Sequence, residues 1–360
     1  MLFTNKLRSM ARRNIPAYSR FSLSIFTVIA LFAASTANAS LILTAAGSSL
    51  GFNLSTFVSG DAGSFTPFGM GVNNKGQVIV SSWNTSLNYV FNDTDNQTVA
   101  NAVSYTPATY LVAGYTSVKL DGIRSVWGGA AHSWWGGGLA KFNDDGTIAA
   151  YYDGIKLSYG IWTNPVNQHI IAQGSVGLLG GLLDIDVSGA TPTVRLITTD
   201  GTDGLTVSPD GSRVYTNSAS YDINTGVKLG NFSVPGADGM GIITSSNAAL
   251  NGQVIVNTYG SVIMMDPVTY AQTIIASGDL IGDLAAADYN NGSLLLTAWG
   301  NFSNSHTSSI MRLSCNGCAI GSAPPSSTHG VPEPNELALM GIGVIFLSAM
   351  VRRRKQPLQA

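Results

Sequence analysis

The middle of the chain alternates short polar turns with runs of apolar and β-branched residues. Four segments show this pattern most clearly: "NNKGQVIVSSW", "SPDGSRVYTNS", "LNGQVIVNTYG" and "NNGSLLLTAWG". In each of them Asn, Asp or Gly precedes an apolar run, which is typical of a hairpin turn that leads into a β-strand. The pattern predicts an all-β body of short strands between residues 40 and 320.

The turns recur at a regular spacing and form two interleaved sets. Turns of the first set are centred on Gly76, Gly122, Asn167, Gly211, Gly252 and Gly292. Turns of the second set are centred near Asp95, Gly146, Gly189, Gly226, Val268 and Asn316. A repeat of about 40 to 50 residues with two hairpin turns holds four short strands, which is the blade of a β-propeller.

The repeats predict a six-bladed β-propeller over residues 65–316. Residues 41–60 would add an N-terminal strand to the last blade, which closes the ring and removes its free edges. A seven-bladed propeller, a β-sandwich and a β-solenoid with irregular repeats remain alternatives. The segment "SPDGSRVYTNSASYDINTGVKL" resembles a blade of YVTN- or NHL-type propellers.

Charge is scarce and unevenly distributed. Charged residues make up 11% of the 360 residues, against about 25% in an average soluble protein. The basic residues concentrate at the two ends, and Glu occurs only at positions 333 and 336, so the body is acidic through Asp alone. We therefore expect no nucleic-acid binding, which needs clustered Lys and Arg, and no catalysis by glutamate.

The N-terminal 39 residues have the features of a secretory signal peptide. A basic region runs to Arg20, an apolar region follows to about Ala34, and Ala37 and Ala39 provide the small residues for cleavage before Ser40. An uncleaved membrane anchor is the alternative. We expect the secretion translocon and signal peptidase to process this segment.

The C-terminal segment combines an apolar run with a basic cluster. Residues 337–351 carry no charge and would form a helix about 23 Å long. Four basic residues then follow, Arg352, Arg353, Arg354 and Lys355. Such a cluster favours the cytoplasmic side of a membrane, so a single C-terminal transmembrane helix is predicted with the body outside. Residues 321–330 are rich in Pro, Gly and Ser and are predicted to form a flexible linker.

The tail resembles the PEP-CTERM sorting signal, also known as an ice-binding-protein C-terminal domain. The resemblance covers residues 331–356 and rests on the order of three parts: the motif Val331, Pro332, Glu333 and Pro334, the apolar helix, and the terminal basic cluster. It implies a Gram-negative bacterium that makes exopolysaccharide. It also implies an exosortase that recognises the motif, removes the tail and delivers the body to the cell surface or matrix. A retained anchor is the alternative.

Three aspartates are the main ligand-binding candidates. Asp203, Asp238 and Asp283 lie beside Gly at the start of strands in three different repeats. Innermost propeller strands open into a central channel, so the three carboxylates could ring its mouth and hold sugar hydroxyls or Ca²⁺. The alternative is that each side chain caps a turn by accepting backbone N–H bonds. No other metal and no cofactor is predicted.

Two further motifs have weaker functional interpretations. Cys315 and Cys318 are predicted to form a disulfide that pins the last hairpin of an exported protein. The segment "DTDN" at residues 93–96 offers oxygen atoms at alternate positions, but an exposed hairpin turn explains it better than a calcium loop. Aromatic residues cluster between Trp127 and Trp162, where core packing is favoured over carbohydrate stacking.

Two functions compete. The first is a non-catalytic surface or matrix propeller for adhesion or exopolysaccharide contact, so that the protein is not an enzyme. The second is an exported hydrolase or lyase of the propeller type, resembling a lactonase. Lactonase-like propellers hold a metal with Glu among its ligands, and the absence of Glu from the body favours the first function.

Overall fold

The computed structural model describes residues 41–321, except residues 62–63, 108–110, 131–136 and 301–306. The predicted signal peptide, with its cleavage residues Ala37 and Ala39, lies outside the described residues. So does the predicted sorting segment, from Val331 to the basic cluster that ends at Lys355. Within the part of the chain that is described, no helix is long and apolar enough to cross a membrane.

The described residues form an all-β fold, as predicted. It begins with β1 (Ile42–Leu43), the helix α1 (Ala45–Ser49) and β2 (Phe52–Asp61). The sequence pattern did not predict α1. Its first turn is capped by Thr44, whose side-chain oxygen accepts a bond from the N–H of Gly47. Gly47 packs so closely on the backbone of Ile275 that a Cβ atom would not fit, so the helix anchors the N-terminal segment.

A four-stranded antiparallel sheet follows, in the order β3-β4-β5-β7. Its strands are β3 (Pro67–Val72), β4 (Val78–Ser82), β5 (Leu87–Phe91) and β7 (Ser104–Pro107). The short β6 (Gln97–Thr98) lies between β5 and β7 in the chain but pairs with β2. A 3₁₀ turn at Val99–Asn101 separates β6 from β7. All residues of β3 and β4 are buried, because neighbouring sheets cover both of their faces.

The next seven strands form one antiparallel sheet, in chain order from β8 to β14. They are β8 (Leu111–Leu120), β9 (Ile123–Ala130), β10 (Gly137–Phe142), β11 (Ile148–Thr163), β12 (Ile170–Val176), β13 (Leu179–Asp186) and β14 (Thr193–Thr198). The long strand β11 pairs with β10 through residues 148–157 and with β12 through residues 155–163. The strand β11 is therefore both the fourth strand of the group β8–β11 and the first strand of the group β11–β14.

A second four-stranded sheet comes next. It consists of β15 (Leu205–Val207), β16 (Arg213–Thr216), β17 (Ala219–Asp222) and β18 (Lys228–Asn231), hydrogen-bonded in that order. Its turns carry the sequence signals described above. Gly211 and Gly226 both have φ of +71°, a left-handed conformation that favours glycine.

The last sheet has nine strands, because β1, β2 and β6 join six strands from the end of the described chain. Its own strands are β19 (Gly239–Ser245), β20 (Val254–Met265), β21 (Gln272–Asp288), β22 (Ser293–Gly300), β23 (Thr307–Cys315) and β24 (Cys318–Ile320). The long strand β21 pairs with β20 through residues 272–281 and with β22 through residues 280–288. The strand β1 pairs with the first half of β21.

The N-terminal strand closes the fold, as predicted. β2 pairs antiparallel with β23 from Phe52 opposite Cys315 to Asp61 opposite Thr307. In addition, the strands β3, β8, β11, β15, β19 and β21 contact one another in a closed series, since β21 returns to β3. One strand from each repeat thus lines a common centre, and the other strands extend outwards.

Cys315 and Cys318 are joined by a disulfide at the corner between β23 and β24. The predicted location in a final hairpin is wrong, because β24 does not turn back onto β23. It pairs with β19 instead, with Ile320 opposite Ile243. The disulfide therefore spans the bend by which the chain leaves one strand and joins another.

Candidate functional site

Asp203, Asp238 and Asp283 lie at one cavity of about 480 Å³. This cavity, called the central cavity below, is at the end of the closed series of inner strands. The described residues of its lining provide three carboxylates, five aromatic side chains and one threonine: Thr66, Phe68, Trp83, Tyr159, Asp203, Asp238, Tyr259, Asp283 and Trp299. The structure thus brings together the three aspartates that the sequence pattern indicated.

Glycines explain why the aspartates come close to one another. A Cβ atom on Gly204 would lie 1.5 Å from the carbonyl oxygen of Asp238. On Gly239 it would lie 2.7 Å from the carbonyl oxygen of Asp283, and on Gly160 it would lie 2.6 Å from that of Asp203. Only glycine allows the backbones of neighbouring inner strands to approach this closely. The residue before each glycine lines the central cavity.

The same position on other inner strands carries an aromatic residue. Tyr159 precedes Gly160 on β11, and Phe68 precedes Gly69 on β3. Both line the central cavity, so the position before an inner-strand glycine supplies two carboxylates, those of Asp203 and Asp238, and two aromatic rings, whereas Asp283 precedes Leu284. The sequence pattern pointed to this position only where it holds Asp.

Phe68 is the centre of an aromatic cluster on the wall of the cavity. Its ring lies 5.3 Å from that of Trp83, 5.8 Å from that of Tyr159 and 6.4 Å from that of Trp299, measured between ring centroids. The indole N–H of Trp299 donates a hydrogen bond of 2.9 Å to the carbonyl oxygen of Pro67, which fixes the ring. Phe68 is buried, whereas Trp83, Tyr159 and Tyr259 are partly exposed and form the rim.

None of the five rings was predicted as a site residue, although the sequence contains a signal for three of them. Trp83, Tyr259 and Trp299 each stand seven positions after the turn glycine of their repeats, Gly76, Gly252 and Gly292. The quoted repeat segments contain all three aromatic residues. Trp83 directly follows β4, Trp299 is the second-last residue of β22, and Tyr259 lies within β20, and all three rings line the central cavity.

The three aspartates of the cavity do not cap turns. Elsewhere Asp145, Asp210, Asp222 and Asp266 accept hydrogen bonds from N–H groups of the turns that follow them. Within the described residues, the carboxylates of Asp203, Asp238 and Asp283 accept no such bond and pair with no Lys, Arg or His. The alternative of simple turn capping therefore does not describe them, and their oxygens face the cavity.

Burial and mutual repulsion raise the pKa values of two of these carboxyl groups. Desolvation, followed by the negative charge of Asp203, raises the pKa of Asp238 to about 6. Desolvation, followed by the charges of Asp238 and Asp203, raises the pKa of Asp283 to about 7. The opposite holds for Asp266, where hydrogen bonds from the turn lower the pKa to about 2. Near neutral pH the cavity therefore holds both protonated and ionised carboxyl groups.

The described residues do not form a group that fits a bound divalent metal. Among the described residues, no three or more His, Cys, Asp or Glu side chains are placed to share one ion. None of residues 41–321 is Glu, the ligand that lactonase-like propellers contribute. The other described lining residues add only the hydroxyl oxygens of Thr66, Tyr159 and Tyr259, so no step of the chemistry below is assigned to a metal.

The structure bears on two other sequence interpretations. Thr94, Asp95 and Asn96 are exposed, as an exposed turn predicts, but Asp93 and Asp95 also accept hydrogen bonds from the guanidinium of Arg312, which bonds to Asp288 as well. Trp127 and Trp162, considered as carbohydrate-stacking candidates, are each 3% exposed and belong to the core. Core packing was the favoured alternative for them.

No protein-family model matches the chain, and no curated protein matches it. Solved structures do match. One is assigned as a gluconolactonase, with 12% identity over 78% of this chain and 99% of its own, and a TM-score of 0.54. Another is a gluconolactonase from Xanthomonas campestris, with 12% identity over 78% and 96% and a TM-score of 0.51. A luciferin-regenerating enzyme matches with 12% identity over 80% and 100% and a TM-score of 0.48.

The comparison supports a propeller-like fold and corrects one prediction. The prediction that the protein is not an enzyme is contradicted, because its structural neighbours are propeller-type enzymes. That prediction assumed that catalysis in such a fold needs a glutamate-bound metal. The central cavity shows that the fold can assemble carboxylates of raised pKa from Asp alone.

Proposed function

We propose that the protein is a hydrolase that opens an ester or lactone bond of a small molecule in the central cavity. The observation that carries this proposal is that three carboxylates meet in a cavity with aromatic walls. In the described chain, none of the three caps a turn or forms an ion pair. A cavity of about 480 Å³ is within the range that binds small ligands. The propeller-like fold shared with two gluconolactonases supports the choice of reaction.

The two raised pKa values supply an acid and a base. Ionised Asp238 takes a proton from a water molecule, whose oxygen attacks the carbonyl carbon of the substrate. The bond between that carbon and the ester oxygen breaks, and protonated Asp283 gives its proton to the departing oxygen. The products are an alcohol and a carboxylic acid, or one hydroxy acid from a lactone. The ionised acid is repelled by the carboxylates, which favours its release.

The two groups define the pH dependence. Asp238 must be ionised, so activity rises as the pH increases through about 6. Asp283 must be protonated, so activity falls as the pH increases through about 7. We expect a bell-shaped profile of kcat/KM with its maximum between these values.

The test is a turnover screen with the purified chain. Lactones, simple esters and glycosides are offered to the wild type and to Asp238→Asn, Asp283→Asn and Asp266→Asn. We expect at least a 100-fold loss of kcat/KM for ester or lactone turnover in the first two variants. Asp266→Asn is the control, because Asp266 caps a turn outside the cavity. Equal activity in all four proteins, or turnover of no substrate by the wild type, would overturn the proposal.

We also propose that the fold consists of six blades. The six inner strands in closed contact support this number, as does the division of β11 and β21 between neighbouring groups of strands. Each of the six first-set turns joins an inner strand to the second strand of its group. β2 then supplies the outer strand of the last blade, beside β23.

We further propose export and sorting by the two terminal segments. The signal-like residues 1–39 and the PEP-CTERM-like residues 331–356 support a route through the translocon to an exosortase. The hydrolase would then act at the cell surface or in an exopolysaccharide matrix. Mass spectrometry of the mature protein tests this route: cleavage before Ser40 and loss of the apolar tail are expected. A mature protein that retains Ala360 would contradict removal of the anchor.

A further inference from the structure

The central cavity has a strong charge asymmetry. Its lining includes three carboxylates, and no Lys, Arg or His is among the described lining residues. Elsewhere the chain supplies its own cation to a group of carboxylates: Arg312 lies between Asp93, Asp95 and Asp288. The described lining of the central cavity has no such residue. A bound cationic group would therefore meet three carboxylates and no competing Lys, Arg or His among the described lining residues.

The aromatic walls of the central cavity favour an organic cation over a metal ion. Phe68, Trp83, Tyr159 and Trp299 form one aromatic cluster, and Tyr259 adds a fifth ring at the rim. Aromatic faces attract alkylammonium groups, because the ring quadrupole is negative and the methyl or methylene groups pack against its carbon atoms. A bare metal ion gains little from such walls, and the carboxylates of the described residues are not grouped to share one ion.

The three carboxylates also divide into two kinds. Asp238 and Asp283 are partly or largely buried, and the proposed hydrolysis uses them as base and acid. Asp203 is exposed at the mouth of the cavity and has no part in that proton transfer. Its charge nevertheless acts on the other two. It is therefore the carboxylate available to bind a charged substrate group.

We infer that the substrate carries an alkylammonium group, which Asp203 pairs with and the aromatic cluster around Phe68 surrounds. This inference rests on the proposed function, because it names the substrate class of the same cavity. A cationic group at this place leaves Asp238 and Asp283 facing the scissile bond. It also adds a favourable charge to a site that otherwise concentrates negative charge.

The test begins with binding, which does not depend on turnover. The probes are choline and 3,3-dimethylbutanol, which have the same shape but differ in charge. Fluorescence of Trp83 and Trp299, with calorimetry, reports their affinities for the full mature chain. We expect choline to bind about tenfold or more tightly than the neutral probe. Equal affinities, or no binding of choline, would overturn the inference.

Variants separate the charge contribution from the aromatic contribution. Asp203→Asn should remove most of the preference for choline, and Trp83→Leu should weaken choline several-fold more than the neutral probe. Asp266→Asn is the matched control, because it removes a carboxylate outside the cavity. Preservation of the full preference in Asp203→Asn would overturn the assignment. Calcium binding in the cavity, with no effect of choline, would also overturn it.

A matched pair of substrates distinguishes this inference from the proposed function. Acetylcholine and 3,3-dimethylbutyl acetate differ in the same single charge, and kcat/KM should favour acetylcholine about tenfold. Equal turnover of both esters would overturn the inference and leave the hydrolase standing. Selective binding of choline without turnover of any ester or lactone would overturn the hydrolase instead, while the ligand class would stand.

Discussion

At the scale of single residues, the important contrast is between aspartates that complete turns and aspartates that face the central cavity. The two groups have the same side chain and often the same neighbour, glycine. Their pKa values shift in opposite directions because turn N–H groups stabilise the ionised form, whereas burial beside other carboxylates destabilises it. An Asp in this fold is therefore suited to proton transfer when it is buried beside other carboxylates, and to stabilising a turn when it accepts turn N–H bonds.

This contrast predicts how stability depends on pH. The folded state raises the pKa of Asp283 to about 7, above about 3.9 in an unfolded chain. Ionisation therefore destabilises the folded state, with no penalty below pH 4 and the full penalty above pH 7. We expect Asp283→Asn to raise the free energy of unfolding by about 1–3 kcal/mol at pH 8 and to leave it nearly unchanged at pH 4.

Urea unfolding at both pH values measures the effect, and Asp266→Asn provides the control of opposite sign. The pKa of Asp266 is lowered to about 2, so its charge stabilises the fold above pH 4 and the benefit is lost as the pH falls through 2. That variant should lose stability at pH 8. If Asp283→Asn also loses stability there, Asp283 has a structural role that the cavity geometry does not show.

At the scale of secondary-structure elements, inner strands touch through glycine. Gly204 is the tightest case, since its Cβ would lie 1.5 Å from the carbonyl oxygen of Asp238. We expect Gly204→Ala to lower the free energy of unfolding by about 3 kcal/mol and to abolish turnover, because the strands that carry two of the carboxylates must separate. Chemical denaturation and the turnover assay measure both effects.

Gly154→Ala is the matched control within β11. Nothing lies within 4 Å of a Cβ placed there, so the change should remain within about 0.5 kcal/mol. A similar loss in both variants would mean that strand propensity, and not contact between strands, determines the effect.

Arg312 ties three elements together. Its guanidinium, 8% exposed, joins β23 to the end of β21 through Asp288 and to the turn before β6 through Asp93. We expect Arg312→Met to destabilise the fold by about 3–5 kcal/mol, because the substitution leaves buried carboxylates without a cation. The measurement is denaturant unfolding.

Lys156→Met serves as the comparison for Arg312→Met. Lys156 forms an exposed ion pair with Asp153, and its removal should change stability by no more than about 0.5 kcal/mol. If the two variants lose the same amount, burial adds nothing to the Arg312 network.

These elements also show what a sequence can and cannot predict. The turn glycines and the pairs of Asp and Gly are local signals, so the strands, the closure by β2 and the meeting of Asp203 with Asp238 and Asp283 were predictable. The partner of Asp93 and Asp95 was not, because Arg312 lies more than 200 residues away. The role of Trp83 and Trp299 depended likewise on the register of strands far apart in the chain.

At the scale of the whole molecule, closure depends on the N-terminal strand. β2 covers the edge of β23 and buries Phe52, Phe57 and Val58. A chain that begins at Ser64 lacks this strand and exposes the edge, so we expect it to aggregate or to melt well below the chain that begins at Ser40. A synthetic peptide of residues 50–61 should restore stability when added.

Thermal unfolding with light scattering measures this prediction, and a peptide with the same residues in scrambled order is the control. Closure by β2 would be unnecessary if the shortened chain remained monomeric with an unchanged melting temperature. Another element would then have to cover β23.

The two long strands, β11 and β21, make local stability differ around the ring of strands. Through β11, the strands from β8 to β14 share one continuous hydrogen-bond network, whereas the four-stranded sheets β3-β4-β5-β7 and β15-β16-β17-β18 share no strand with their neighbours. Amide protons of the long network should therefore exchange with deuterium together and late, and those of the two isolated sheets should exchange earlier and on their own. One of these sheets follows directly after Asp203, so a place where the ring opens easily adjoins the mouth through which a ligand enters.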